Sequence, residues 1–214
     1  MEKTTTPLGS RFRGYLPVII DIETGGFNPK KNPLLEIAAV IVELNDNGDL
    51  VITERHTCHV LPFKNSEIDE SALKFNKIDP YHPFRMAIDE KDALDKIFKP
   101  IKKAVKRNDC TRAILVGHNP AFDIGFLNAA IQRTQIKRSP FHPFSTFDTA
   151  TLGGLAYRQT VLAKIASAAG LPWDNDKAHS ALYDAEQTAM LFCKIVNRWK
   201  KLESLETEAS CGSS

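Results

Sequence analysis

The chain has 214 residues, 43% hydrophobic and 25% charged, with a formal net charge of +2 and a pI near 8.3. That is enough chain for one domain with a sizeable core, in the balance of an ordinary soluble globular protein. So small a net charge excludes nucleic-acid binding by bulk attraction and requires local clustering for any such contact. No apolar run is long enough to span a membrane, and the start Met1-Glu2-Lys3-Thr4 lacks a signal-peptide core. Cys58, Cys110, Cys193 and Cys211 form no CxxC, which argues against a zinc knuckle or disulfide framework and points to reduced thiols in a cytoplasmic protein.

Residues 1–10 are polar, with Pro7 and Gly9, and are expected to be flexible. Arg11 and Arg13 then form a small basic cluster ahead of the first strand. Val18-Ile19-Ile20, between Pro17 and Thr24-Gly25-Gly26, predicts a buried strand with a turn after it. Alternate residues of a strand share a face, so Asp21 and Glu23 point the same way, roughly 6.6 Å apart along the chain. Two acids on one face at the end of an apolar strand are costly to bury without a positive charge between them, which is how a divalent-metal site reads in sequence. Taken alone, the pair also fits a solvated strand end.

Leu34–Leu44 reads as a second strand, Asn45–Asp49 as a hairpin turn, and Leu50–Phe63 as a third strand, so the chain opens with an antiparallel meander. His56 and His59 face opposite sides of that third strand and read as structural. From about Asp89 a helix carries Leu94, Ile97, Phe98, Ile101, Ala104 and Val105 on one face and a row of lysines on the other. Pro100 is expected to kink or split it, at a cost of about 3 kcal/mol. Ala113–His118 is a buried strand, Asn119 an N-cap and Pro120 the first helical residue of the next helix. Ser145–Thr149 is a fifth strand, and helices at Thr160–Ala169 and from Ala181 to about Leu202 close the domain. The tail from Glu203 reads as disordered.

These elements predict an α/β fold: a mixed five-stranded sheet, antiparallel meander then parallel strands, flanked by helices. The domain spans residues 11–202, with a flexible segment 1–10 and a disordered tail 203–214. A right-handed crossover makes the fourth strand parallel to the first. Asp21 and Glu23 then end at the same edge as Asp123, the edge where ligands collect in such sheets. Asp123 lies in the first turn of its helix, where dipole complementarity alone also accounts for an acid. His179 falls in the loop before the last helix, and Asp184 sits one turn into it, beside the apolar set Leu182, Ala185, Ala189, Phe192 and Val196.

The motifs Asp21-Ile22-Glu23-Thr24, His118-Asn119-Pro120-Ala121-Phe122-Asp123 and His179-Ser180-Ala181-Leu182-Tyr183-Asp184, in this order, resemble the DEDDh branch of the DEDD 3′→5′ exonucleases. The further stretches Arg11–Gly14, Leu34–Ala39, Phe75-Asn76, Pro140–Phe144, Thr146–Ala150 and Leu191–Lys200 extend the resemblance over nearly the whole ordered chain. They narrow it to members that trim the 3′ ends of tRNA and other stable RNAs. The resemblance implies a ribonuclease H-like fold and a two-metal-ion hydrolysis of single-stranded 3′ ends of RNA, and of single-stranded DNA, to nucleoside 5′-monophosphates. Asp21, Glu23, Asp123 and Asp184 would hold two Mg2+ ions, with Mn2+ able to substitute and Asp21 bridging, and His179 would be the general base. Two carboxylates 4 Å apart at an effective dielectric of 20 repel by about 4 kcal/mol, so four such groups need cations of this kind.

The same resemblance makes Phe27, Phe75, Phe122 and Phe144 a base-stacking platform, where the plain alternative is core packing. It makes Arg11, Arg13, Lys106, Arg112 and Lys137 a backbone-binding patch, against a solvated helix face for Lys106. It also implies a homodimer in which one subunit's patch serves the other's active site. Pro100, Pro120 and Ser71 depart from the family pattern, Ser71 standing where a glutamate is expected near Phe75, which leaves the terminal-base preference open. Asp148 fits either support of the site or an N-cap. The competing readings are a proofreading-type or oligoribonuclease-like DEDDh exonuclease, and a non-catalytic nucleic-acid-binding module.

Overall fold

The computed structural model of the protein describes residues 7–211. A short helix α1 (Pro7–Arg11) leads into β1 (Tyr15–Thr24), β2 (Leu34–Leu44) and β3 (Leu50–His59), paired antiparallel. The hairpin between β2 and β3 is held by Asn45 Oδ1, which accepts the N–H groups of Asn47 and Asp49. After α3 (Glu90–Arg107) crosses the sheet, β4 (Arg112–Gly117) returns parallel to β1, and β5 (Phe141–Asp148) adds parallel to β4. The resulting order is β3-β2-β1-β4-β5, with β1 at the centre. The predicted mixed sheet and the parallel fourth strand are what form.

Leu16 and Val18–Ile20 of β1 and Leu34–Val42 of β2 are buried, so both faces of the sheet are covered. On one side α3 packs with α4 (Ala121–Thr134); α7 (Ala181–Cys211) packs on β1, β2 and β3. Burying Leu94, Ile97, Phe98 and Ile101, at about 1.5–3 kcal/mol each, outweighs the proline penalty. Pro100 therefore lies inside one unbroken helix, not at a split.

Several local features differ from the sequence reading. Pro7–Arg11 is helical with Leu8 buried, where a loose start was expected. The final helix runs on to Cys211, past the expected end near Leu202. The remainder of both terminal expectations lies outside the described residues. β3 ends at His59: Val60 still donates its N–H to Leu35 of β2, but Leu61 turns its N–H to Ile88 instead. β5 starts earlier, at Phe141, and bulges, since Ala113 pairs with Phe141 but Leu115 pairs with Thr146. Three further unpredicted elements appear among the described residues: α2 (Glu70–Asn76), a 3₁₀ turn at Pro83–Arg85, and α5 (Thr149–Tyr157). Helix α5 is glycine- and threonine-rich and has no local signal. It exists because Asp148 caps it and because Gly153 lets α6 (Leu162–Ala168) approach; a Cβ there would meet Ile165 Cδ1 at 2.4 Å.

Candidate active site

Strand β1 outruns β4. Their pairing ends at Ile19 and Val116, so beyond it Asp21–Thr24 keep only β2 as a neighbour. That exposed flank is where α4 begins. Asp123, in its first turn, is buried, and the backbone of Ile22, between Asp21 and Glu23, favours its charged form. The turn into α4 differs by one residue from expectation. Asn119 adopts a left-handed conformation (φ 60°), Pro120 caps, and the helix starts at Ala121. Asp148 is responsible, because its Oδ1 accepts the Asn119 N–H at 3.0 Å while the same carboxylate caps α5, Oδ1 accepting the Ala150 N–H and Oδ2 the Thr151 N–H. Asp148 is thus the N-cap of α5 and also fixes the turn that leads to Asp123.

Carboxylate oxygens of Asp21, Glu23 and Asp184 lie within 4.8 Å of one another. Asp184 reaches them from the first turn of α7. Its Oδ2 accepts the His179 N–H at 3.0 Å, and its Oδ1 is buried without a protein partner. Burial, then repulsion from Asp123, Asp184, Glu23 and Glu36, pushes the Asp21 carboxyl well above the ordinary range. Burial and then Asp184 push Glu23 up to about 8. Burial likewise raises Asp123 and Asp184. A set of hard oxygen donors that cannot all ionise unaided, with one oxygen left unpaired, fits a divalent cation. Glu36, which the sequence reading did not single out, faces Glu23 across the β1–β2 pair and is buried. Its signal in the sequence is a lone acid within the apolar run Leu34–Val42.

Asp21, Glu23 and Asp184 line a cleft of about 380 Å3 whose walls include Phe27, Phe75 and Phe122. Phe27 is 80% exposed and Phe75 62%, so neither is a core residue. Phe27 sits on a loop locked by Asn32, whose Oδ1 accepts the Asn28 N–H and whose amide donates to Glu67 O. Gly26 (φ 150°) lies so close to Asn32 and Asp69 that a Cβ would clash at 2.4–2.6 Å. Phe144 stands apart: it is exposed in the bulge of β5, its ring 4.6 Å from that of His142, and does not line the cleft. His179, also left-handed (φ 69°), is exposed, and its ring lies on Phe75 with centroids 4.2 Å apart.

The basic residues gather at the other end of the sheet. Arg112 and Lys137, with Lys102 and Arg138, border an open depression of about 650 Å3. Arg112 pairs with Tyr15, six residues before Asp21 on β1, which puts it about 20 Å from the acids. Arg11 is paired with Glu203 at 3.0 Å, and Arg13 lies over the Tyr15 ring at 5.5 Å. Lys106 is on the exposed face of the last turn of α3. The structure therefore brings the acids and three of the phenylalanines together and leaves Arg112, with the depression it borders, at the far end of the sheet.

Carboxylates from β1, α4 and α7 meeting at one edge of a mixed, ribonuclease H-like sheet define a 3′→5′ exonuclease, and residues 18–192 match the exonuclease family model RNase_T. Escherichia coli Exonuclease I in complex with a dT13 oligonucleotide has the same fold, with a TM-score of 0.67 at 17% identity over 89% of this chain and 43% of that longer one. Among curated relatives, Ribonuclease T of Marinobacter nauticus is 56% identical over 94% of this chain and 91% of its own length. Ribonuclease T of Shewanella oneidensis is 57% identical over 91% and 88%. The chain belongs to the ribonuclease T family and is a 3′→5′ exoribonuclease.

Proposed function

We propose that the enzyme trims single-stranded 3′ ends of tRNA and other stable RNAs, acts on single-stranded DNA as well, and releases nucleoside 5′-monophosphates with two Mg2+ ions per site. The observation that carries this reading is the juxtaposition of three carboxylates within 4.8 Å, one with an unpaired buried oxygen, and a cleft walled by three phenylalanines. Asp21, Glu23, Asp123 and Asp184 would hold the ions, and Mn2+ could take the same oxygen ligands. Bound there, the divalent ions supply the positive charge that activates a water and stabilises the leaving 3′ oxygen. Phe27, Phe75 and Phe122 stack the last bases, which suits a substrate recognised as a single strand because every base has a π-face. His179 takes the proton from the attacking water at a ring nitrogen. Its backbone bond to Asp184 keeps it at the rim of the cleft.

The basic residues Arg11, Arg13, Lys106, Arg112 and Lys137 bind the RNA backbone upstream, and they do so for a second copy of the chain. Their distance from the acids of their own chain supports a homodimer in which each patch serves the partner's cleft. A cytoplasmic location is supported by the free thiols of Cys58, Cys110 and Cys193. No described helix is long and apolar enough to cross a membrane. The test is digestion of 3′-labelled tRNA, single-stranded DNA and dinucleotides with Mg2+ and with EDTA. Mg2+-dependent release of mononucleotides, fastest on tRNA with a short single-stranded 3′ end, is the expected result. No release would leave a binding module, and a preference for dinucleotides an oligoribonuclease-like enzyme.

A further inference from the structure

Helix α2, which carries Phe75, has one buried residue, and that residue is polar: Asn76, 7% exposed. Its cap residue Asp69 makes no side-chain hydrogen bond to the helix, and the helix stops at Lys77 in a left-handed conformation (φ 58°). Polar contacts of Asn76 therefore do much of the pinning that an apolar face does for an ordinary helix. The Asn76 amide donates to the Thr24 carbonyl at 3.1 Å, and Oδ1 accepts the Ile78 N–H at 3.1 Å. Thr24 is the residue after Glu23, and its own hydroxyl is tied to Gly26 O at 2.7 Å. Asn76 thus clasps the end of β1 between the acid Glu23 and the turn that presents Phe27, while its chain neighbour presents the Phe75 ring. The same amide lies near enough to the Glu23 carboxylate to favour its charged form.

We infer that Asn76 is a positioning residue that couples stacking of the terminal base on Phe75 to metal binding at Glu23. The inference rests on the proposed roles of Phe75 and Glu23. A base stacked on Phe75 restrains α2. Through the Asn76–Thr24 bond that restraint holds the end of β1, and with it the Glu23 carboxylate, in the geometry a cation needs. By linkage, a bound cation must then favour the base to the same degree.

The test measures Mn2+ affinity of the full chain by electron paramagnetic resonance, in the presence of a nucleoside 5′-monophosphate or of ribose 5-phosphate, with enzyme-free controls. The two ligands share the phosphate and the sugar and differ only in the base. In the unaltered protein the base is expected to tighten Mn2+ by at least about fivefold, the lower end of ordinary site-to-site coupling. Asn76→Ala and Phe75→Ala should each bring that ratio close to one. Asn76→Asp, which is isosteric and keeps the acceptor for the Ile78 N–H but loses the amide donor, should do the same and covers the case in which Asn76→Ala fails to fold. A ratio preserved in folded Asn76→Ala or Asn76→Asp overturns the coupling, as does a ratio of one in the unaltered protein. Absence of Mn2+ binding under any condition would instead overturn the metal reading of the acids on which the inference rests.

Discussion

The imidazole of His179 rests on the ring of Phe75, centroids 4.2 Å apart and planes inclined by 50°, while the His179 N–H holds Asp184 Oδ2 at 3.0 Å. The residue proposed as general base and the residue proposed to stack the terminal base thus occupy each other's surface. For a base to stack on that face of Phe75 the imidazole would have to give way, while the bond to Asp184 would keep the His179 backbone beside the acids. His179→Ala should lower turnover by roughly 10²–10⁴-fold, the ordinary range for a general base. Mn2+ binding, followed by electron paramagnetic resonance, should be nearly unchanged. Turnover within a few-fold of the unaltered enzyme would remove His179 from the chemistry.

Asp21→Asn tests the acids in a different way. Activity on a labelled oligonucleotide should fall below detection, and Mg2+ should raise the melting temperature of the unaltered protein but not of this variant. Retained activity in this variant would be incompatible with the assignment.

Metal and pH should act on stability in opposite senses. The Glu23 carboxyl is pushed up to about 8 in the folded protein, from an ordinary value of 4.5. Between those values the folded chain binds a proton that the unfolded chain releases, so this group's contribution is fully present below the lower value and is lost as pH rises through the upper one. In EDTA, the melting temperature of the unaltered protein should fall more steeply between about pH 5 and 8.5 than that of Glu23→Gln. Mg2+ should restore it most at the alkaline end, where cations no longer compete with protons. Parallel curves for the two proteins in EDTA would show that Glu23 does not titrate in this window.

The aromatic residues should separate by position. Phe27→Ala and Phe122→Ala each remove a wall of the cleft, and each should raise KM on short single strands by the equivalent of about 1–3 kcal/mol, the range for a lost base stack. Phe144→Ala, beside His142 and away from the cleft, should leave KM on a dinucleotide nearly unchanged. Steady-state kinetics on a dinucleotide and on a longer strand would check both statements. An equal loss at all three positions would place Phe144 within reach of the last bases.

Pro100 offers a test of the fold alone. It sits inside a continuous helix, where it has no N–H to give the preceding turn. Pro100→Ala should therefore raise stability by about 1–2 kcal/mol, the helix gain less the added freedom of the unfolded chain. Urea denaturation would show an upward shift of the midpoint; a downward shift would mean that the proline ring contributes packing that alanine cannot.

The meander was legible because it rests on local patterns, the parallel fourth strand because crossover handedness requires it, and the four acids because their ordered motifs resemble those of the exonuclease family. β-branched runs mark Val18–Ile20 and Leu34–Leu44, a turn signal marks Asn45–Asp49, and the period of two puts Asp21 and Glu23 on one face. What could not be read lacks such a pattern. Helix α2 has no buried apolar residue and α5 is rich in glycine and threonine, so neither shows a helical period; contacts from Asn76, Asp148 and Gly153 hold them in place. Glu36 has no such pattern either, since it is the β1–β2 register that sets it opposite Glu23.

The sequence by itself determined which residue types could carry the reaction and at which ends of which strands they would stand, since strand period and crossover handedness follow from backbone sterics alone. Only the tertiary structure decided which of them meet. It brought Asp184 from a distant helix to within 4.8 Å of Asp21 and Glu23, laid His179 on Phe75, left Phe144 outside the cleft, and put the basic depression at the far end of the sheet. Those outcomes depend on how α2, α4 and α7 dock on the strand edge, and docking is set by long-range packing and register that no short window of sequence contains.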